Sequence, residues 1–243
     1  MALDEALMES ARSGAVTLRF YGWHPGCLSF GRNQAALGRY DAAAARARGV
    51  HVVRRPTGGR AVYHDREVTY SVTAPADAWG SLKDAYARVN RALAEGLRRL
   101  GVPASVATDR SGRRAPRPVA RACFQDPLPG EVMAHGRKLI GSAQWRRDGA
   151  LLQHGSILLH NDQQVVDELR AATAAALKAV PAASLAELLP ALPGVRRLTD
   201  ALVEGFAEVF GNPVVPGSPT PKELARAREL SARYADDAWT WRR

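Results

Sequence analysis

Cys123, in the run ACFQDP, and Lys138, fifteen residues further on in GRKLIGSAQ, are the side chains of this sequence best suited to group transfer. A thiol attacks as its thiolate, and a neighbouring ammonium stabilises that form and can return a proton to a leaving group. Lys138 is followed by Leu139 and Ile140, so it reads either as an ammonium partly desolvated and aimed into a site or as an exposed lysine at a strand end. Cys27, between Gly26 and Leu28, reads as core filler. A second unusual segment is RRPTGGRAVYHD, residues 54–65. Its Gly58-Gly59 pair, after Arg54 and Arg55, can bring backbone N–H groups close to an anion or a carbonyl. The same residues also read as a glycine turn with solvated arginines, and His64 as a histidine closing a strand. His154-Gly155-Ser156 either faces the same cavity or covers it.

What is missing narrows the chemistry. There is no Walker-type phosphate loop, GxGxxG, HExxH or GxSxG, so common nucleotide, metalloprotease and hydrolase readings lose their support. Cys27 and Cys123 allow at most one disulfide, and no Cys/His cluster with ligand spacing offers a metal site. No apolar run approaches the roughly 20 residues of a membrane span, and Asp4, Glu5 and Glu9 stand where a signal peptide would be basic, which leads to a cytoplasmic expectation. The formal charge of +10, from 34 Lys+Arg against 24 Asp+Glu, calls for an acidic partner: nucleic acid, an anionic ligand or an acidic protein.

These residues need elements to position them. Leu3, Ala6, Leu7 and Ser10 share a helical face over Ala2 to Arg12, ended by Gly14. Val16 to Trp23 alternates like a half-buried strand, and Pro25-Gly26 turns it into Cys27 to Gly31, which reads as a strand pair. Leu37 to Arg48 is an alanine-rich helix closed by Gly49; strands follow at Val50 to Val53 and Val68 to Ala74. Ser81-x-x-Asp84 caps a helix whose stripe runs through Leu82, Tyr86, Val89, Leu93, Leu97 and Leu100. Arg110, Arg113, Arg114, Arg117 and Arg121, among proline and glycine, read as a mobile basic loop. Asp148-Gly149 joins Lys138 to Trp145 and Ala150 to Leu159 as a hairpin. The remainder is helical in pieces: Val165 to Val180, Ser184 to Leu189, Val195 to Phe210 and, beyond a Gly/Pro-rich linker, Pro221 to Tyr234. The pattern predicts an α/β fold of the α+β type, a mixed central sheet flanked by helices with a short helical C-terminus. Residues 1–210 would form the catalytic domain and 211–243 a linker and closing helix.

MALDEAL at 1–7, TLRFYGW at 17–23, LSFGRNQ at 28–34, RRPTGGRAV at 54–62, ACF at 122–124, GRKLIGSAQ at 136–144 and LLQHGSILL at 151–159, in this order, resemble the superfamily of lipoate-protein ligases and octanoyltransferases, which also holds the biotin ligases. Cys123 resembles the acyl-accepting cysteine of the Gram-positive type of octanoyl-carrier-protein:protein octanoyltransferase, which the ATP-dependent ligases do not need. After ACF the family carries a serine-aromatic-glutamate pattern, of which Glu131 matches the last element.

The resemblance implies a biotin/lipoate ligase-like fold and transfer of an octanoyl group from acyl carrier protein to a lysine of a lipoyl-domain protein. Glycine cleavage H protein and the acyltransferase subunits of 2-oxoacid dehydrogenases are acceptors of this kind. Cys123 and Lys138 would be catalytic. Arg54, Arg55, Thr57, Gly58, Gly59, His64, Gly141, Ser142, Ala143, His154 and Gly155 would bind substrate, with Gly58 and Gly59 lining an apolar slot. Neither a cofactor nor a metal nor a membrane is then required. The alternative within the superfamily is a lipoate-protein ligase acting through lipoyl-AMP, with ATP and Mg as cofactors and Cys123 a bystander. A nucleic-acid-binding module, suggested by charge alone, ranks below both for want of a helix-turn-helix, RNP-like strand or zinc finger.

Overall fold

The strands are β1 (Thr17–Tyr21), β2 (Cys27–Phe30), β3 (His51–Arg54), β4 (Val62–His64), β5 (Glu67–Pro75), β6 (Ala104–Val106), β7 (Val132–Ala134), β8 (Arg137–Lys138), β9 (Ile140–Arg147) and β10 (Ala150–Leu158). The computed structural model describes residues 1–107, 129–172 and 181–243. Cys123, the Arg110–Arg121 loop and the second half of the helix expected over Val165 to Val180 lie outside the described residues.

The main sheet has the order β1-β5-β10-β9 and is antiparallel throughout. Among the described residues, parallel pairing, which makes the fold mixed, is confined to β2 with β3 in a second sheet ordered β3-β2-β4. A third, β6-β7-β8, leads into β9. The β9–β10 hairpin forms as expected, with Asp148 and Gly149 both at positive φ. The expected pairing of the first two strands does not occur, because β1 joins β5 while β2 enters the other sheet. The connector explains the divergence: Trp23 reaches between the sheets, stacks on His64 and donates to Thr69 Oγ1 at 2.8 Å.

Side-chain alternation divides β5 into two surfaces. Val68, Tyr70 and Val72 join Ile140 and Ile157 in the core beneath α3 (Leu82–Arg99) and α6 (Val195–Phe210). Thr69, Ser71 and Thr73 lie on the other surface, opposite Ser156, His154 and Leu152 of β10, and are buried as well. The Ser81 capping box starts α3, and Gly211, left-handed at φ 70°, ends α6. α1 (Ala2–Ser10) covers the polar surface and is itself covered by α7 (Pro221–Ala235). The alanine-rich helix α2 is shorter than expected, Ala42–Ala47, because the Asp41 carboxylate accepts from the amides of Ala43 and Ala44 and fixes its start there. The short helices are α4 (Gln164–Glu168), α5 (Leu185–Leu188) and α8 (Asp237–Thr240).

α3 and α6 meet glycine to glycine. A Cβ on Gly205 would stand 2.4 Å from the Ala92 carbonyl oxygen and 2.4 Å from the Gly96 nitrogen, inside contact distance of backbone that cannot give way. Gly205→Ala should therefore destabilise the protein by about 1–3 kcal/mol, the usual range for overpacking. The loss should appear as a lower denaturation midpoint with the denaturant slope unchanged.

Candidate active site

A small cleft opens where the two larger sheets face each other. It is lined by Ser29 of β2, Arg55 just after β3, Val62 and His64 of β4, Thr69 of β5, Gly141–Ala143 of β9 and His154–Ser156 of β10, with Met1 at one side. Its cavity of about 20 Å³ admits roughly one water molecule. The fold thus brings Arg55, His64, Gly141, Ser142, Ala143, His154 and Gly155 together from segments far apart in the chain. Arg54, Thr57, Gly58, Gly59 and Lys138 are not among the lining residues.

Two relays of carboxylate, imidazole and hydroxyl reach this cleft. In one, His154 Nε2 is 2.6 Å from Thr57 Oγ1 and its Nδ1 faces Asp4 Oδ2 at 3.6 Å, a charge contact too long for a hydrogen bond. Asp4 is wholly buried on α1 and accepts from Arg19 Nη1 at 2.7 Å, Tyr21 Oη at 2.7 Å and Ser71 Oγ at 2.9 Å. Burial raises its pKa, but the nearby amino terminus, His154 and Arg19 outweigh that and hold the carboxyl well below the usual range. Burial pushes the His154 imidazole down, partly opposed by Asp4 and assisted by Arg55. In the other relay His64 Nε2 is 2.7 Å from Ser29 Oγ, and its Nδ1 is 2.9 Å from Glu67 Oε1 and 3.1 Å from Ser156 Oγ.

The two arginines are inside the protein rather than solvated. Arg54, with no exposed surface, donates from Nε to the Thr240 carbonyl at 2.9 Å and from Nη1 to those of Gly31 and Gln34 at 2.7 Å each. Burial, helped by Arg242 and Arg243, pushes its pKa down to about 10. Arg55 donates to the carbonyls of Ser29, Gly58 and Arg60 and to Ser29 Oγ. Its grip on those carbonyls leaves Gly58 and Gly59 exposed at the rim, near Ala143. Hydroxyls and imidazoles from both sheets converge on the cleft, whose accessible lining surface is nonetheless mainly apolar. Gly155 has a structural reason: its missing Cβ would stand 2.8 Å from the Tyr70 ring, whose hydroxyl lies 2.7 Å from Ser142 Oγ.

Lys138 is buried, not exposed at a strand end, and its Nζ donates to Glu131 Oε1 at 2.5 Å. The described ends of the stretch that carries Cys123 are tied beside this pair. The Gly130 amide donates to the Ala107 carbonyl and the Ala107 amide to that of Glu131, both at 2.8 Å, while Asn90 Nδ2 donates to Gly130 at 2.7 Å. Sequence reasoning missed Ser29, Asp4, Glu67 and Asn90. Asp4 carried a signal, an acid within an apolar helix start; an ordinary strand serine or helix asparagine carries none. Among the described residues no group of three His, Cys, Asp or Glu could hold a metal ion, and no helix is long and apolar enough to cross a membrane.

The sequence profile of the lipoyl protein ligase A/B catalytic domain matches residues 1–207. Octanoyltransferase LipM of Kyrpidia tusciae is 43% identical over 259 residues, covering 100% of this chain and 94% of the relative. That of Moorella thermoacetica is 40% identical over 255 residues, covering 100% and 93%. Among solved structures, a lipoate-protein ligase A bound with ATP has a TM-score of 0.79 at 27% identity, over 99% of this chain and 92% of that one. A bipartite lipoate protein ligase from Thermoplasma acidophilum, described with its E2 lipoyl domain, has a TM-score of 0.78 at 25% identity, over 99% and 89%.

The buried relay makes stability depend on pH in a definite direction. A histidine in the unfolded chain takes its proton near pH 6.5, roughly, whereas folded His154 resists until lower pH, so the unfolded state binds more protons and stability falls on acidification. Asp4, ionised to still lower pH when folded, adds a further loss below about pH 4. His154→Gln should flatten the decline in melting temperature that begins below about pH 6.5 and leave the one below about pH 4 in place. An unchanged profile across both ranges would refute the assignment.

Proposed function

Because the chain belongs to the lipoyl protein ligase A/B catalytic domain family, we propose that it is an octanoyltransferase of protein lipoylation, moving an octanoyl group onto a lysine of a lipoyl-accepting protein. The observation that carries this reading is its similarity to octanoyltransferases across its whole length, in several organisms. The catalytic unit is 1–210, and 211–243 form its linker and closing helix. The donor is the octanoyl thioester of acyl carrier protein, and the acceptors are H protein and E2-type lipoyl domains. The E2 domain described with the archaeal ligase supports that choice of acceptor.

In the first half-reaction the Cys123 thiolate attacks the thioester carbonyl; collapse breaks the bond to the carrier sulfur and leaves an acyl-enzyme. Lys138, as an ammonium beside the Glu131 carboxylate, stabilises the thiolate and the tetrahedral oxyanion and gives a proton to the departing sulfur. In the second, the acceptor amine replaces the enzyme sulfur at the same carbonyl and forms the amide. The thioester is already activated, so transfer consumes no ATP. The second reading is the ligase acting through lipoyl-AMP with ATP and Mg, favoured by the ATP-bound structural neighbour. In that case Lys138 and the Gly58-Gly59 loop act on an acyl-adenylate.

Incubation with octanoyl-carrier protein and no acceptor should add one octanoyl mass to a Cys123 peptide, and hydroxylamine should remove it. Cys27→Ser should keep the adduct and Cys123→Ala should lose it. Full transfer by Cys123→Ala, dependent on ATP, would establish the ligase instead.

The ion pair permits a separate test. Lys138→Met removes the ammonium from a buried carboxylate and should cost about 3–5 kcal/mol. Adding Glu131→Gln should recover most of that stability in thermal melts without recovering acyl transfer. Recovery of turnover in the double variant would eliminate Lys138 from the chemistry.

A further inference from the structure

Glu67, His64 and Ser29 are 6%, 5% and 0% exposed, which is costly burial for a carboxylate, an imidazole and a hydroxyl unless they act as a set. Their proton order follows from what each group can do. A carboxylate only accepts, so His64 Nδ1 carries the hydrogen directed at Glu67 Oε1, 2.9 Å away. His64 Nε2 is then an acceptor, and Ser29 Oγ, at 2.7 Å, donates into it. Arg55 Nη1 fills a lone pair on the same Ser29 oxygen from 3.0 Å, which commits that oxygen's hydrogen to the histidine. Trp23 stacks over the imidazole with ring centres 4.6 Å apart and fixes its plane. Glu67 Oε1 also accepts from Thr69 Oγ1, while Glu67 Oε2 is buried without a hydrogen-bond partner among the described residues.

Strand register sets where this happens. His64 Nδ1 touches Ser156, which pairs with Gly141 at the start of β9, two residues after the Leu139 that follows Lys138. His154 lies further along, opposite Ala143. Of the two relays, the Glu67 one therefore lies nearer the end of β9 that follows Lys138 in the chain.

We propose that Ser29, His64 and Glu67 form the proton relay that deprotonates the incoming lysine ammonium in the second half-reaction, with Glu67 the positioning residue that sets the imidazole tautomer. This rests on the transfer reading above. The ammonium passes one proton to Ser29 Oγ as the Ser29 proton moves to His64 Nε2, and the imidazolium is held by Glu67. The freed nitrogen lone pair attacks the thioester carbonyl carbon, a C–N bond forms and the C–S bond breaks. The second nitrogen proton goes to the departing sulfur, and His64 returns its proton to solvent. Ammonium and thioester thus give amide, thiol and one proton.

The test compares two nucleophiles on the same octanoyl-enzyme: a lipoyl-domain lysine, protonated at neutral pH, and hydroxylamine, which is already a free base there. Glu67→Gln and Ser29→Ala should slow transfer to lysine about 100-fold in kcat with the acceptor KM unchanged, within the range for general-base catalysis. Hydroxamate formation should stay within about threefold of wild type. Should Glu67→Gln not fold, Ser29→Ala carries the same comparison. Equal losses with both nucleophiles, or no loss with lysine, would overturn the relay while leaving the transferase standing. A wild-type protein that forms no hydroxamate from octanoyl-carrier protein would overturn the transfer reading and the relay with it.

Discussion

The surface of β5 and β10 that faces away from α3 and α6 is polar and yet buried, and much of the structure exists to satisfy it. Thr69, Ser71, His154 and Ser156 cannot reach bulk water, so each requires a partner from another element. α1 supplies Asp4, β2 supplies Ser29, and the β4–β5 turn places His64 and Glu67 three residues apart with both side chains directed inward. The cleft lies where these demands converge. The hydroxyls and imidazoles gathered around it are a consequence of two strand surfaces being buried at once, one by apolar packing and the other by hydrogen bonds.

Arg54 plays the corresponding part at the outer edge of the second sheet. One guanidinium holds the carbonyls of Gly31, Gln34 and Thr240, thereby joining the loop after β2 to the last helical turn of the chain. Trp239 answers by donating from Nε1 to the Arg54 carbonyl at 2.8 Å. α7 is bound to α1 through Arg226 with Glu9 and through Tyr234 with Glu5, the latter at 2.6 Å. The closing helices are thus tied to the helix that carries Asp4, and through it to the floor of the cleft.

Group transfer to an amine needs a stabilised thiolate and oxyanion on one side and a base for an ammonium on the other. The Lys138–Glu131 pair and the Glu67–His64–Ser29 set have the right charges for these complementary tasks, and the register of β9 against β10 sets Ser156, beside His64, opposite Gly141, three residues after Lys138. Keeping the two apart is chemically useful. Here Lys138 and His64 each face a buried carboxylate of their own.

Much of this was legible in the sequence. Periodicity located α1, α3, α6 and α7; the Ser81 box and Asp148-Gly149 fixed a helix start and a hairpin; and the ordered motifs disclosed the family. These are local signals, set by propensity, capping and alternation within a few residues. Long-range choices were not legible. The short Pro25-Gly26 turn implied a hairpin, but Trp23 had a better partner in His64, and that contact depends on both sheets being present. Arg54 and Arg55 read equally well as anion-binding residues or as solvated charge, because nothing local reveals that the distant carbonyls of Gly31 and Thr240 will enclose Arg54 or that Ser29 will meet Arg55. Ser29 and Glu67 are ordinary strand residues until β2, β4 and β10 come together. The sequence by itself determined the elements and the chemistry available; the tertiary structure decided which groups share protons, because burial makes a hydrogen bond obligatory and only the folded chain determines which partner is within reach.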